Sequence, residues 1–181
     1  MKNKKMWIAV VVLLTICISL VFAVENKTET QALPQFISEK DTLKGLQGVS
    51  VLIESLDSGK EKYGLTTQQM QTDVELRLRQ NGIKVLSNKE MYAAPGMPYL
   101  YVNVNLVITE DSPIAGYSIS VQLKQNILLE RDPTKNCCGA TTWDSGGAGF
   151  ISKGRIPTLR ENIKDQIDIF SNDYLAVNST R

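Results

Sequence analysis

From Tyr117 to Leu129 the chain alternates apolar and polar residues, with Tyr117, Ile119, Val121, Leu123, Ile127 and Leu129 on one side and Ser118, Ser120, Gln122 and Lys124 on the other. Successive side chains of a β-strand point to opposite faces of its sheet, so this run makes a strand with one dry and one wet face. The pattern recurs from Tyr99 to Ile108. There Leu100, Val102, Val104, Leu106 and Ile108 share one side, and Tyr99, Tyr101, Asn103 and Asn105 share the other. Asp111-Ser112-Pro113 and Ala115-Gly116 stand between the two runs and join them as a hairpin. All-parallel sheets are buried on both faces, so one-sided strands require an antiparallel sheet covered on one face only.

Two amphipathic helices supply that cover. Thr66 and Gln69 stand at capping-box spacing, and Asn81-Gly82 offers the left-handed residue that closes a helix. Between them Met70, Val74 and Leu78 recur every fourth residue, with Asp73, Glu75, Arg77 and Arg79 toward water and Leu76 off the stripe. The second helix opens near Pro157 and carries Leu159, Ile163, Ile167, Phe170 and Tyr174 on one stripe. Further strands are expected at Val49, Val51 and Ile53, before the turn formers Asp57-Ser58-Gly59. Others are expected at Ile83 to Leu86 and around Ala140 to Ile151, where glycines interrupt. The order β-α-β-β-β-β-α predicts an α+β two-layer sandwich, a mostly antiparallel sheet of about five strands with both helices on one face.

Lys2, Lys4 and Lys5 precede an apolar run from Met6 to Val24. Residues 1–23 read as a secretory signal cut between Ala23 and Val24. The alternative is an uncleaved anchor, since a helix over residues 6–24, rising about 1.5 Å per residue, nearly spans a bilayer core of about 30 Å. Either reading places the folded part in the periplasm or cell envelope. Residues 24–45 are polar and form a linker from which Phe36, Ile37 and Leu43 can dock. Residues 46–178 make one domain, and 179–181 are a tail. Loss of residues 1–23 removes three lysines and no acid, taking the formal charge from +1 to −2. The charges are interspersed, whereas a nucleic-acid binder shows a clustered basic footprint. No nucleic-acid partner is expected, and membrane contact is expected only through the N-terminal segment.

The chain contains no histidine. Ser-His-Asp and Cys-His units are therefore excluded, and the commonest zinc ligand is missing. No catalytic residue, metal site or cofactor is expected. Cys137 and Cys138 are adjacent in a compartment that oxidises thiols. Neighbouring Cα atoms lie about 3.8 Å apart, below the roughly 4.4–6.8 Å that a disulfide spans, so a bond between them is strained. Such a vicinal disulfide is one reading; free thiols in a hairpin loop and a crosslink to another chain are the others. A thioredoxin-type centre needs two intervening residues. Ser145-Gly146-Gly147-Ala148-Gly149 lacks the Gly-Lys-Ser/Thr ending and the following helix of a phosphate loop, and reads as an irregular hairpin arm.

Tyr99, Tyr101, Tyr117 and Trp143 offer either an aromatic platform or cross-strand packing. Asn103 and Asn105 share the Tyr99/Tyr101 face, which makes Tyr99, Tyr101, Asn103, Asn105 and Trp143 the candidate binding residues. Asp73 and Glu75 point to different helix faces and read as solvated surface.

Three segments carry a resemblance. Thr72-Asp73-Val74-Glu75-Leu76-Arg77-Leu78-Arg79 with Gly82-Ile83, Tyr99-Leu100-Tyr101-Val102-Asn103-Val104, and Asp165-Gln166-Ile167-Asp168-Ile169-Phe170 with Tyr174-Leu175-Ala176-Val177-Asn178 resemble a family of small exported bacterial proteins. The likeness covers residues 46–178 and implies neither an activity nor catalytic residues. In element order the chain is also similar to envelope accessory domains such as the amino-terminal domain of the Tol-system periplasmic protein and the small lipopolysaccharide-assembly lipoprotein. That is analogy of fold, which does not carry function. The expected function is a non-catalytic binding or assembly accessory module of the bacterial envelope, with an envelope protein or small ligand as partner. The alternative is a small hydrolase or thiol redox protein using carboxylates or Cys137 and Cys138.

Overall fold

The computed structural model describes residues 37–56 and 58–179. The N-terminal segment with Ala23 and Val24, most of the linker, Phe36 and Asp57 lie outside the described residues. Four strands, β1 (Ser50–Ile53), β2 (Tyr99–Ile108), β3 (Ile114–Leu129) and β4 (Asp132–Ser152), form one sheet in the order β1-β2-β3-β4. β1 runs parallel to β2, and the other neighbours are antiparallel. The helices are α1 (Ser58–Glu61), α2 (Thr67–Gln80), α3 (Asn88–Ala93) and α4 (Leu159–Asn178), with 3-10 turns at Glu39–Leu43 and Lys153–Thr158. The chain is an α+β protein, as the alternation and the two amphipathic stripes require.

The sheet has four strands among the described residues, not five. Ile83 to Leu86, expected as a strand, forms only the isolated parallel bridge Val49↔Val85. The segment is hemmed in on both sides. Gly82, at φ +78°, closes α2 before it, and Ser87 caps α3 directly after it, so there is room for two bonds to Val49 and no ladder. Helix α3 is an element beyond the expected order, opened by the reciprocal capping box of Ser87 and Glu90. Of the turn expected at Asp57-Ser58-Gly59, the described residues Ser58 and Gly59 instead open α1, and Pro157 lies in the 3-10 turn just ahead of α4. The glycines of residues 145–149 do not break the last strand. They sit inside β4, which also begins earlier than expected and takes Cys137 and Cys138 out of the hairpin loop into a paired strand.

The core lies on one side of the sheet. Leu100, Val102, Val104 and Leu106 of β2 and Ile119, Val121 and Leu123 of β3 are buried together with Met70, Val74 and Leu78 of α2 and Leu159, Ile163, Ile167 and Phe170 of α4. Each such apolar side chain contributes about 1.5–3 kcal/mol on leaving water. The helices are joined across their outer surface by ion pairs. Arg160 Nε and Nη2 reach Asp73 Oδ2 and Oδ1 at 2.5 and 2.9 Å, and Arg77 grips Asp168, which also accepts from Asn81 Nδ2 at 2.9 Å. The described end of the linker stretch packs on the same core: Leu43 is fully buried, while Ile37 is exposed. Thr42 Oγ1 donates to the Thr142 carbonyl of β4, and Asn178 of α4 holds Gly45 N and the Leu43 carbonyl.

Candidate binding face and groove

The alternation of β2 and β3 leaves the far side of the sheet without a long helix. Register places Tyr101 opposite Gln122, Asn103 opposite Ser120 and Asn105 opposite Ser118, with Tyr99 opposite Lys124. β1 adds Leu52 beside Tyr101, and β4 adds Thr141, Asp144, Gly146 and Ala148. The face is therefore a field of amides, hydroxyls and two phenols with a few apolar side chains. Tyr101 donates its hydroxyl to Glu54 Oε2 at 2.5 Å, and the Lys124 ammonium lies 5.3 Å from the Tyr101 ring centre. The bond to Glu54 pushes the Tyr101 phenol above its ordinary pKa, so the hydroxyl stays a donor. Asn105 Nδ2 reaches Ser118 Oγ only at 3.5 Å, and the amide is exposed. At the far end Val107 and Phe150 flank Gly116, and Phe150 is 85% exposed.

Two glycines shape this surface. A Cβ on Gly146 would lie 2.3 Å from the Ile119 carbonyl oxygen, so only glycine lets β4 run this close to β3. Gly139 has φ +67°, and a Cβ there would lie 2.9 Å from the Tyr99 hydroxyl. Its N–H donates to Asn126 Oδ1 at 3.2 Å, which fixes the β4 backbone over Tyr99.

Beside Tyr99 the face deepens into a groove of about 420 Å³, walled by Leu52, Met91, Tyr92, Met97, Tyr99 and Cys138. Helix α3 forms its outer wall. The cap that starts α3 is strongly charged: Glu90 bonds Lys84 and the Ser87 backbone and side chain, and Lys84 above all holds its carboxyl down at about 2. The opposite wall is stitched by Asn126 N, which donates to the Gly96 carbonyl at 2.7 Å.

The structure brings together Tyr99, Tyr101, Asn103 and Asn105. It removes Trp143 from that set. Trp143 pairs with Leu123 on the helix-covered face, is 3% exposed, packs its ring 5.1 Å from Phe170 and donates Nε1–H to Asp173. Three register shifts between β3 and β4, at Leu123/Lys124, Gln125/Ile127 and Leu128/Leu129, together decide which β4 residues face the helices. Tyr117 likewise turns to the helix side, where its hydroxyl meets Asn162. Cys137 and Cys138 are both free thiols. Cys138 opens onto the groove. Cys137 pairs with Ile127, and Cys138 follows it within β4.

Asp73 and Glu75, neighbouring carboxylates of α2, are both engaged in side-chain bonds. The Arg160 bond holds Asp73 below its ordinary value, and the Gln71 bond, with Arg79, does the same for Glu75. A general acid needs a raised pKa, so both carboxylates are shifted the wrong way. No group of three or more Cys, Asp or Glu side chains able to hold a metal ion occurs among the described residues. Nor is any described helix long and apolar enough to cross a membrane.

No family model matches the chain, and no curated protein matches it. Three chains of solved structures do. One belongs to a PelC dodecamer from Paraburkholderia phytofirmans, 14% identical, with 76% of this chain and 93% of that chain aligned at a TM-score of 0.38. Likeness at that level carries no inference about function.

Proposed function

We propose that this protein is a non-catalytic binding or assembly module of the bacterial envelope, exported by its N-terminal segment and docking a protein partner on the open face of its sheet. The observation that carries the reading is the division of β2. Its even-numbered side chains are consumed by the core, while Tyr99, Tyr101, Asn103 and Asn105 stand outward with paired neighbours from β3. Tyrosines presented on a rigid strand give contact area at small entropic cost, and the amides and hydroxyls between them offer hydrogen bonds to a partner's polar groups. A protein surface matches such a mosaic better than a lipid or a small apolar molecule does. The engaged carboxylates and the absence of histidine in the sequence further favour docking over hydrolysis.

Crosslinking in intact cells followed by mass spectrometry tests the proposal, with the wild-type chain compared against Asn103→Arg and Tyr101→Asp. The expected outcome is one dominant envelope protein captured by the wild type and lost in both variants, each of which keeps its melting temperature. Capture unchanged by either substitution, or a contact mapped instead to the unpaired edge of β4 as an added strand, would overturn docking on this face.

A further inference from the structure

The two edges of the sheet are finished differently. β1 is four residues long, and its outer side is occupied: Val49, just before it, exchanges main-chain bonds with Lys84 and Leu86, and Gln71 Nε2 reaches the Val51 carbonyl. β4 is 21 residues long, and only its first half is irregular or covered. Its three register shifts lie at Leu123/Lys124 of β3 and beyond, toward the hairpin, and Thr42 Oγ1 takes up the Thr142 carbonyl. From Trp143 to Ser152 the ladder to β3 is unbroken. Among the described residues no main-chain group of this stretch bonds anything outside β3.

A free edge of this length is a template for another strand, and proteins normally guard it with lysine, proline, a bulge or a covering segment. None of these stands between Asp144 and Ser152, where Asp144 is the one charge and Gly146, Gly147 and Ala148 are exposed. Nothing lies within 4 Å of where a Cβ on Gly147 would stand, so α4 does not roof the edge there. The strand's own symmetry points to the occupant. Antiparallel pairing with β4 of a second copy, about a two-fold at Ala148, sets Phe150 opposite Gly146, Gly147 opposite Gly149 and Asp144 opposite Ser152. Each Phe150 ring, 85% exposed in the single chain, then lies beside the bare glycine of the other copy, an aromatic-to-glycine cross-strand pair made twice over. The same centre follows from the free stretch itself, because Asp144 and Ser152 are equidistant from Ala148. The two Asp144 carboxylates stay about 27 Å apart at about 3.4 Å per residue, so no like charges meet.

We propose that this protein forms a symmetric dimer in which the β4 edges of two copies pair from Asp144 to Ser152 and join the two four-stranded sheets edge to edge. The two-fold runs normal to the sheet, so both open faces lie on one side and both helix layers on the other. Tyr99, Tyr101, Asn103 and Asn105 of each copy stay exposed to a partner. The proposal rests on the edge alone and stands or falls separately from docking on the sheet face.

The test is disulfide formation in intact cells expressing the full chain with Cys17→Ala, Cys137→Ser and Cys138→Ser. Directly opposed residues of antiparallel strands lie about 4.5–5.5 Å apart at Cα, within the span of a disulfide. Ala148→Cys in that background is expected to give an adduct of twice the chain mass, joined through two copies of the same peptide, and Asp144→Cys is expected to give none. Sedimentation equilibrium of the purified wild-type chain in mild detergent, which needs no variant to fold, should show monomer and dimer and no larger species. Ala148→Lys opposes two ammonium groups at the two-fold and should abolish the dimer. Phe150→Ala removes two ring contacts per dimer and should weaken it roughly tenfold or more. Both variants should keep the circular dichroism spectrum of the folded chain. A wild type that stays monomeric, an Ala148→Cys adduct to a different protein, equal self-adducts from Asp144→Cys, open-ended assembly, or a dimer indifferent to Ala148→Lys would each overturn the edge pairing.

Discussion

The two faces of β2 and β3 are made by the same backbone, yet they answer to different demands. On the helix side Leu100, Val102, Val121 and Leu123 are fully buried, and Phe170 and Trp143 close over them edge to face. On the other side the intervening residues are tyrosine, asparagine, glutamine, serine and lysine, half-buried at most by their neighbours. Stability is therefore concentrated on one side of a sheet only one residue thick. The contrast teaches that the open face is free to serve binding, because little of the fold depends on it.

The sharpest way to break this comparison is to substitute across it. Phe170→Ala, which removes a fully buried ring that touches Trp143 and Tyr174, should cost about 3–5 kcal/mol, read by chemical denaturation. A loss below 1 kcal/mol would mean that the helix layer is not the source of stability. Next in size is a pair of glycines in β4. Gly146→Ala forces a Cβ against the Ile119 carbonyl and should cost about 1–3 kcal/mol, whereas Gly147→Ala meets nothing within 4 Å and should be nearly neutral. Equal effects at the two positions would contradict the close approach of β4 to β3.

Smaller still is the link between the helices. Arg160→Ala should cost about 1 kcal/mol near neutral pH, as expected for a two-pronged, partly buried ion pair. The pair also sets a pH dependence. Asp73 is held below its ordinary value of 3.8, so its contribution is complete above that value and is lost as pH falls through the lower folded value. Acid unfolding followed by circular dichroism should accordingly show a shallower acid limb in Arg160→Ala than in the wild type. The smallest effect belongs to the open face. Tyr101→Phe removes only the exposed bond to Glu54 and should shift stability by less than about 0.5 kcal/mol, so a larger loss would show that this face too supports the fold.

Much of this division is legible in the sequence alone. Period-two alternation gave β2, β3 and their two faces, and capping residues at Thr66, Gln69 and Gly82 gave α2, because both signals are local. What escaped the sequence depended on longer-range terms. Ile83–Leu86 has strand-like composition but is pinned between a helix end and a helix start. The β4 glycines look like breakers but serve a close approach to Ile119. Trp143 reads with the tyrosines as a possible aromatic platform, and the three register shifts that decide which β4 residues face the helices leave no mark in composition. The groove was hidden for the same reason. Tyr99 and Cys138 stand out in the sequence, but Met91 and Met97 join them at the groove only through α3 and the turn that follows it, which composition does not mark.

The central claim, that the exposed face of the sheet exists to meet a partner, is tested most directly by site-specific photocrosslinking in intact cells. A photoreactive side chain placed at position 103 on the open face, and another at position 161 on the outer surface of α4, would be compared at equal expression. The account predicts a discrete higher-mass adduct with an envelope protein from position 103 and none from position 161. Adducts only from position 161, or none from position 103 across several growth conditions, would contradict it.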